Sequence, residues 1–323
     1  METVLFRVPG TAVQKLEGTW EVTTFSEIKK DRFFVTSFSK DKCFQFQAEK
    51  ATEHITVSNF ADSNIYAESK DEYVKQLVNF RDKFKDKGIK KAIYSRVIQT
   101  PFDKKAEDLF DELCTAYPTA FVYLISSKFF GTWVGATPET LLSYKNGAFS
   151  TMSLAGTKKE VSTEWTNKEI EEQEFVTEFI KAELKKMEVT NLVISPTHTT
   201  YTGSVYHLKT DLSFQTGIER WNNVANALHP TPAVCGIPRD KAYNHILESE
   251  KHNREFYAGI IGFQKENELQ AFVNLRCLQV HENVVSLYVG GGITAQSKPE
   301  AEFLETTNKA QTLLKVINQL NQF

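Results

Sequence analysis

Strand-like and helix-like segments are interleaved along all 323 residues, and neither a repeat nor a Pro/Gly/Ser-rich linker separates them. This mixture limits the fold more than any other feature. Such a chain has to pack helices against sheet, in an α+β or α/β arrangement with a large sheet content. RFFVTSFS (Arg32–Ser39) is rich in β-formers, and CFQFQ (Cys43–Gln47) alternates. Lys70–Lys87 puts Tyr73, Leu77, Phe80 and Phe84 on one helical face, with Gly88 as a C-cap. AIYSRVIQT and TAFVYLISS read as strands flanking a helix near Lys105–Ala116. Lys168–Met187 reads as a helix with Val176, Phe179, Ile180 and Met187 on one side. ELQAFVNLRCLQV and NVVSLYVGGG read as a pair of strands. Pro299 suits the start of a last helix, whose stripe is Phe303, Ala310, Leu313, Leu314 and Ile317. At roughly 100–200 residues per domain, the length permits two small domains or one large one. No linker marks a boundary.

Charge and composition exclude several classes. Lys and Arg number 38 against 41 Asp and Glu, a net charge of −3. A nucleic-acid binder usually carries a strong basic excess, so no nucleic-acid partner is expected. No run approaches the ~18–20 apolar residues of a membrane span. The longest apolar patch, Ala120–Ile125, fits a buried strand. The start, METVLFRVPG, lacks the basic-then-apolar pattern of a secretory leader. Cys43, Cys114, Cys235 and Cys277 form no CxxC spacing. They read as reduced thiols in a cytoplasmic protein.

Four features carry candidate chemistry. Glu171 and Glu174 form one ExxE unit on a predicted helix, and Glu302 and Glu305 form another. Carboxylates three apart share a helix side. They either sit on solvated faces or meet across a cleft to hold a divalent cation, for which Mg²⁺ is suited. Gly290-Gly291-Gly292 follows the strand VVSLYV and reads as a tight turn or a backbone that a ligand approaches closely. Arg276 sits within the apolar strand VNLRCLQV, where its charge needs a structural ion pair or an anionic ligand. LHPTPAVCGIPRDKA (Leu228–Ala242) holds three prolines, so its first half is neither regular helix nor central strand. His229 within it reads as a hydrogen-bonded structural histidine or a ligand.

Several long segments, in order, resemble the chorismate-utilising enzymes: GTWVGATPETLLS, TMSLAGTKK, LHPTPAVCGIPRDKA, REFYAGIIGF and YVGGGITAQSKPEAEFLETTNKA. The resemblance runs from about Lys90 to Leu314. It implies an α+β fold, a single large domain over residues 1–323 with two packed β-sheets and helices outside. Residues 1–80 are a less recognisable part of that domain.

The resemblance also implies roles. The two ExxE pairs match a Mg²⁺ site, with Glu174 and Glu305 as direct ligands and Glu171 and Glu302 behind them. Arg276 and Tyr257 match positions that hold the enolpyruvyl carboxylate of chorismate. Gly290, Gly292 and Lys309 match the pocket of the ring carboxylate. His207 matches a histidine near the reacting ring, and Gly156 and Thr157 line the site. Lys91 matches the general base of the water-using members, and Glu139 the general acid. Ala155 stands where aminodeoxychorismate synthases carry a nucleophilic lysine. The branch most similar is isochorismate synthase, an isomerase of menaquinone, siderophore or salicylate routes. Its rivals are salicylate synthase, which goes on to eliminate pyruvate, and an inactive chorismate-binding homologue. No glutamine amidotransferase partner is expected, and the chain should be a monomer or homodimer.

The chain also departs from the family pattern. Tyr94 and Ser95 replace Leu and Ala, the EEQEF segment lacks the usual histidines, and Glu255 stands where Gly is common.

Overall fold

The computed structural model describes residues 2–52, 57, 65–158, 160, 162–201 and 205–322. The chain opens with strands β1 (Glu2–Arg7), β2 (Gln14–Val22), β3 (Arg32–Thr36) and β4 (Cys43–Ala51), then helices α1 (Lys70–Asp82) and α2 (Phe84–Lys87). Next come β5 (Lys91–Pro101), α3 (Ala106–Ala116), β6 (Phe121–Ser127), β7 (Gly131–Thr137), β8 (Thr140–Lys145) and β9 (Ala148–Lys158). The long helix α4 (Asn167–Lys186) leads to β10 (Thr190–Ile194), β11 (His198–Tyr201) and β12 (Tyr206–Gln215). Helix α5 (Trp221–Leu228), β13 (Gly236–Ile237) and α6 (Arg239–Ser249) follow. The chain ends with β14 (Ile260–Lys265), β15 (Glu268–Val273), β16 (Cys277–Val280), β17 (Val284–Thr294) and α7 (Pro299–Leu320).

Local signals place these ends. Ser69 caps α1 in a capping box with Glu72, and Thr166 caps α4 in the same way with Glu169. The predicted first helix breaks at Lys83, and Gly88 (φ 62°) closes the short α2 after it. Pro299 is at the first turn of α7.

The described strands pair antiparallel in one ladder, β13–β5–β17–β16–β7–β6–β1–β2–β4–β3–β14–β15–β8–β9–β12, with β10 and β11 both against β12. The α+β class stands. The two expected layers are halves of this ladder, joined where β1 pairs with both β6 and β2. The ladder folds back on itself. Phe121 of β6 stacks on Phe272 of β15 at 4.2 Å, although these strands are far apart in the pairing order. Strand β6 shows how both of its faces are covered. Phe121, Tyr123 and Ile125 enter the aromatic layer between the halves. Val122 and Leu124 face Leu109 and Leu113 of α3 and Leu313 and Ile317 of α7. A strand buried on both sides has no polar alternation, which is why its Phe121–Ile125 stretch is an unbroken run of large apolar and aromatic side chains.

Two readings need correction. ELQAFVNLRCLQV is not one strand: β15 ends at Val273 and β16 starts at Cys277. Asn274 causes the break, because its amide accepts from Tyr123 Oη at 2.7 Å and donates to the Phe256 carbonyl at 2.9 Å. Arg276 then takes a φ of 50°, so it lies in a kink rather than inside a strand. Nor do the three glycines form a turn. They lie inside β17, opposite Ser95, Tyr94 and Ile93 of β5.

Candidate active site

Lys91 opens β5 beside Thr294 of β17 and Ile237 of β13. The glycines of β17 make room around it. A Cβ added at Gly292 would lie 2.7 Å from Lys91 Cε, and one at Gly290 2.9 Å from Tyr257 Oη. Gly291 faces the other way, towards Glu302 and Thr306 of α7. Lys91 is only 7% exposed, and its Nζ lies 3.7 Å from Glu172 Oε2. Burial lowers its pKa. The Glu172 carboxylate opposes that shift, while Lys309 and Lys168 add to it.

The α4 carboxylate at this point is therefore Glu172, not Glu171 or Glu174, both of which are exposed. The reason is helical phase. Glu172 and Glu169 precede Val176 and Gln173 by one turn each, on the side of the buried stripe that continues to Ile180. Glu171 and Glu174 project from the opposite side. Glu169 and Glu172 are themselves an ExxE unit, and the Val176–Ile180 stripe was the signal that selects it.

On α7, Glu305 carries the charge that acts on Lys91, and Glu302, one turn before it, packs against Gly291 on the other face of β17. Glu302 is buried, with Ser297 Oγ donating to its Oε1 at 2.7 Å, and burial raises its pKa. Its Oε2 is buried with no hydrogen-bond partner. Glu305 pairs with Lys309 Nζ at 2.8 Å, and the lysine lowers its pKa against the cost of burial. Lys309 Nζ also donates to the Gly290 carbonyl at 3.1 Å. Among the described residues, no three His, Cys, Asp or Glu side chains gather tightly enough to hold a metal unaided. A hard cation such as Mg²⁺ does not need that, since one or two carboxylates with substrate oxygens and waters suffice. The all-oxygen donors and the unpartnered Glu302 oxygen fit such an ion.

Arg276 turns its guanidinium back towards α7, where Nη1 donates to the Lys309 carbonyl at 2.8 Å. Burial lowers its pKa, and Tyr257 is the first group to oppose the shift. Tyr257 is buried at the other end of the same corner, and burial raises its pKa. His207 lies at a register shift between β12 and β9. Its Nδ1–H donates to the Gly156 carbonyl at 2.6 Å, and Thr157 Oγ1 is 3.4 Å from the same nitrogen. Burial, with Arg276 and Lys309 nearby, brings its pKa down to about 4. The ring is thus neutral at pH ~7, with Nε2 as an acceptor. Gly156 (φ 66°) keeps β9 close to α4, since an added Cβ would meet Glu169 Cβ at 3.0 Å.

Glu139 sits in the short link between β7 and β8, where its carbonyl accepts from Val273 N–H at 3.0 Å. Its side chain is buried and has no hydrogen-bond partner among the described residues, and burial pushes its pKa up to about 7. His229 resolves to its structural reading, with Nε2–H donating to the Ala258 carbonyl at 2.8 Å.

The cluster combines a buried lysine, two carboxylate-bearing helices and a cationic corner, and Glu139 in the β7–β8 link is a buried carboxyl with a raised pKa. The family described as chorismate binding enzyme matches residues 1–318. The chain belongs to that family. Among its relatives, the isochorismate synthase EntC of Escherichia coli is 30% identical over 243 residues, 71% of this chain and 62% of EntC. DhbC, an isochorismate synthase of Bacillus subtilis, is 30% identical over 58% of this chain and 50% of its own length. Anthranilate synthase component 1 of Bacillus pumilus is 26% identical over 77% of this chain and 51% of its own. The chain thus spans less than two thirds of the length of these curated relatives. In fold, it is similar to the crystal structure of a DhbC from Bacillus anthracis described as a putative 2,3-dihydroxybenzoate-specific isochorismate synthase. That likeness has a TM-score of 0.83 and 24% identity, and covers 98% of this chain and 96% of the other. As a chorismate binding enzyme the chain has seven α-helices among its described residues, none of them long and apolar enough to cross a membrane.

Proposed function

We propose that the chain is an isochorismate synthase that interconverts chorismate and isochorismate with Mg²⁺ as cofactor. Lys91 carries this reading: a lysine almost wholly buried, with a lowered pKa, facing the carboxylates of α4 and α7. A lysine that gives up its proton under such conditions can act as a base towards water. Glu139 is the matching acid, a carboxyl kept protonated to near neutrality by burial.

In the proposed reaction, Lys91 Nζ takes a proton from water as the water oxygen bonds to C2 of the ring. The ring double bonds shift, the C4–O bond breaks, and the proton of Glu139 leaves with the hydroxyl. One hydroxyl replaces another, so the equilibrium lies near unity. Arg276 and Tyr257 would hold the enolpyruvyl carboxylate. Lys309, with the open backbone at Gly290 and Gly292, would receive the ring carboxylate. The neutral His207 would offer Nε2 to a substrate hydroxyl. Glu172 and Glu305 would hold Mg²⁺, with Glu169 and Glu302 behind them. Bound there, the ion would orient the ring carboxylate and draw electron density from the ring.

The test is incubation of the purified protein with chorismate and Mg²⁺, with products separated by chromatography, with and without EDTA. Isochorismate alone, lost with EDTA, is the expected result. Salicylate with stoichiometric pyruvate would assign the chain to the salicylate-forming branch. No consumption of chorismate by folded protein would leave a binding homologue.

A further inference from the structure

A second concave site lies outside the candidate active site, where the β3–β4 turn meets the end of α5 and the start of α6. It is a cavity of about 240 Å³ whose walls include Lys40, Asn226, His229, Arg239 and Tyr243. Its lining carries two cations, Lys40 and Arg239, against one carboxylate, that of Asp240, which projects into solvent. Among the described residues, Lys40 has no carboxylate partner within ion-pair distance, and Arg239 approaches only Asp240, at 3.8 Å and almost fully exposed. Lys40 Nζ donates to Asn226 Oδ1 at 2.6 Å and to the His229 carbonyl at 3.0 Å, and Arg239 Nη1 donates to the Ala227 carbonyl at 2.7 Å. These bonds satisfy carbonyls at the end of α5 and use two of three ammonium donors and one of five guanidinium donors. The remaining donors have no protein acceptor among the described residues. The two cations repel each other, and both act on His229. His229 is 1% exposed, and its Nδ1 has no partner among the described residues.

We propose that this cavity binds a small oxyanion of the phosphate or carboxylate class, held between Lys40 and Arg239. An anion there supplies acceptors for the open donors and the second negative charge that the exposed Asp240 alone does not. Charge-assisted bonds from an ammonium and a guanidinium are the strong kind for such a ligand. The volume admits an ion of phosphate size.

The experiment is calorimetric titration of the full chain with inorganic phosphate replacing chloride at constant ionic strength. One site is expected, weakened roughly tenfold or more in Lys40→Gln and in Arg239→Gln, as loss of one charge-assisted bond implies. Asn226→Asp, a change on an exposed side chain that gives Lys40 an internal counter-ion, should weaken it in a protein that still folds. Lys309→Gln, in the candidate active site, should leave it unchanged. Absence of binding at millimolar phosphate would overturn the proposal. So would binding lost in Lys309→Gln but kept in the Lys40 and Asn226 variants, which would place the anion in the active site. A parallel titration with acetate separates the carboxylate source from the phosphate one, and binding of either through Lys40 and Arg239 supports the site.

Discussion

Glu139 is unusual among the acidic residues because nothing stabilises its charge. It is buried, it lacks a side-chain hydrogen bond among the described residues, and burial alone lifts its pKa from 4.5 to about 7. Two outcomes follow. As the proposed acid it must be protonated, so kcat/KM for chorismate should fall on the alkaline side with a midpoint near pH ~7. The same shift bears on stability. The folded pKa is raised, so the folded state favours the protonated form. The stability tied to that proton is complete below pH ~4 and is lost as the pH rises through about 7. Glu139→Gln mimics the neutral acid. It should lower turnover by roughly 10²-fold or more, yet gain about 3 kcal/mol over the natural chain above pH ~8. Denaturant titrations at acid and alkaline pH should show that gain vanish in acid. An equal stability difference at both would mean that Glu139 is charged and paired in the fold.

At the scale of elements, α4 and β17 decide what reaches the cluster. On α4 the phase of the helix sends Glu172 to Lys91 and leaves Glu171 and Glu174 in solvent. Glu172→Gln should raise the Mg²⁺ concentration needed for half-maximal turnover by roughly tenfold or more, while Glu174→Gln should leave it unchanged. Equal effects would return the metal to the outer face of α4. On β17, Gly292→Ala needs no change of backbone region, but its methyl would overlap the Lys91 stem. The expected result is a folded protein whose kcat falls roughly 10–100-fold because the base moves, with KM for chorismate rising as well, because the same methyl intrudes where the ring carboxylate is proposed to sit.

These two elements also show what the sequence makes legible. Helix α7, with Glu302, Glu305 and Lys309, is readable because its apolar stripe and the Pro299 start fix its phase. Four closely spaced glutamates at the N-terminal end of α4, Glu169, Glu171, Glu172 and Glu174, allow two ExxE registers, and only the stripe that begins at Val176 tells them apart. The glycines of β17 look like a turn because local preference favours one. In the structure Gly292 makes room for Lys91, about two hundred residues away, and no local rule contains that contact. The kink at Arg276 is hidden for the same reason, since Asn274 is held there by Tyr123 and Phe256 from other parts of the chain.

For the whole molecule, the decisive contact is the aromatic layer between the two halves of the ladder. Helices and single strands are largely visible in local patterns. The pairing of β1 with β6, across more than a hundred residues, is not, because many apolar strands of similar length could occupy that place. What selects the native arrangement is the match between inner faces, where Phe6, Phe33, Phe121, Phe263 and Phe272 close on one another. If that layer unites the halves, weakening it should destabilise the molecule as a unit. Phe272→Ala removes the partner of the stacked Phe121 ring and should cost about 3–5 kcal/mol. In a chain this long each kcal/mol lowers Tm by about 2–4 °C or less, so calorimetry should show one transition at a lower temperature. Two separated transitions would mean instead that the halves fold independently and that β1 only tethers them. The Mg²⁺ requirement of the variant should not change, because Phe272 touches none of the carboxylates of α4 or α7. A shift in that requirement would show that the layer also sets the distance between those two helices.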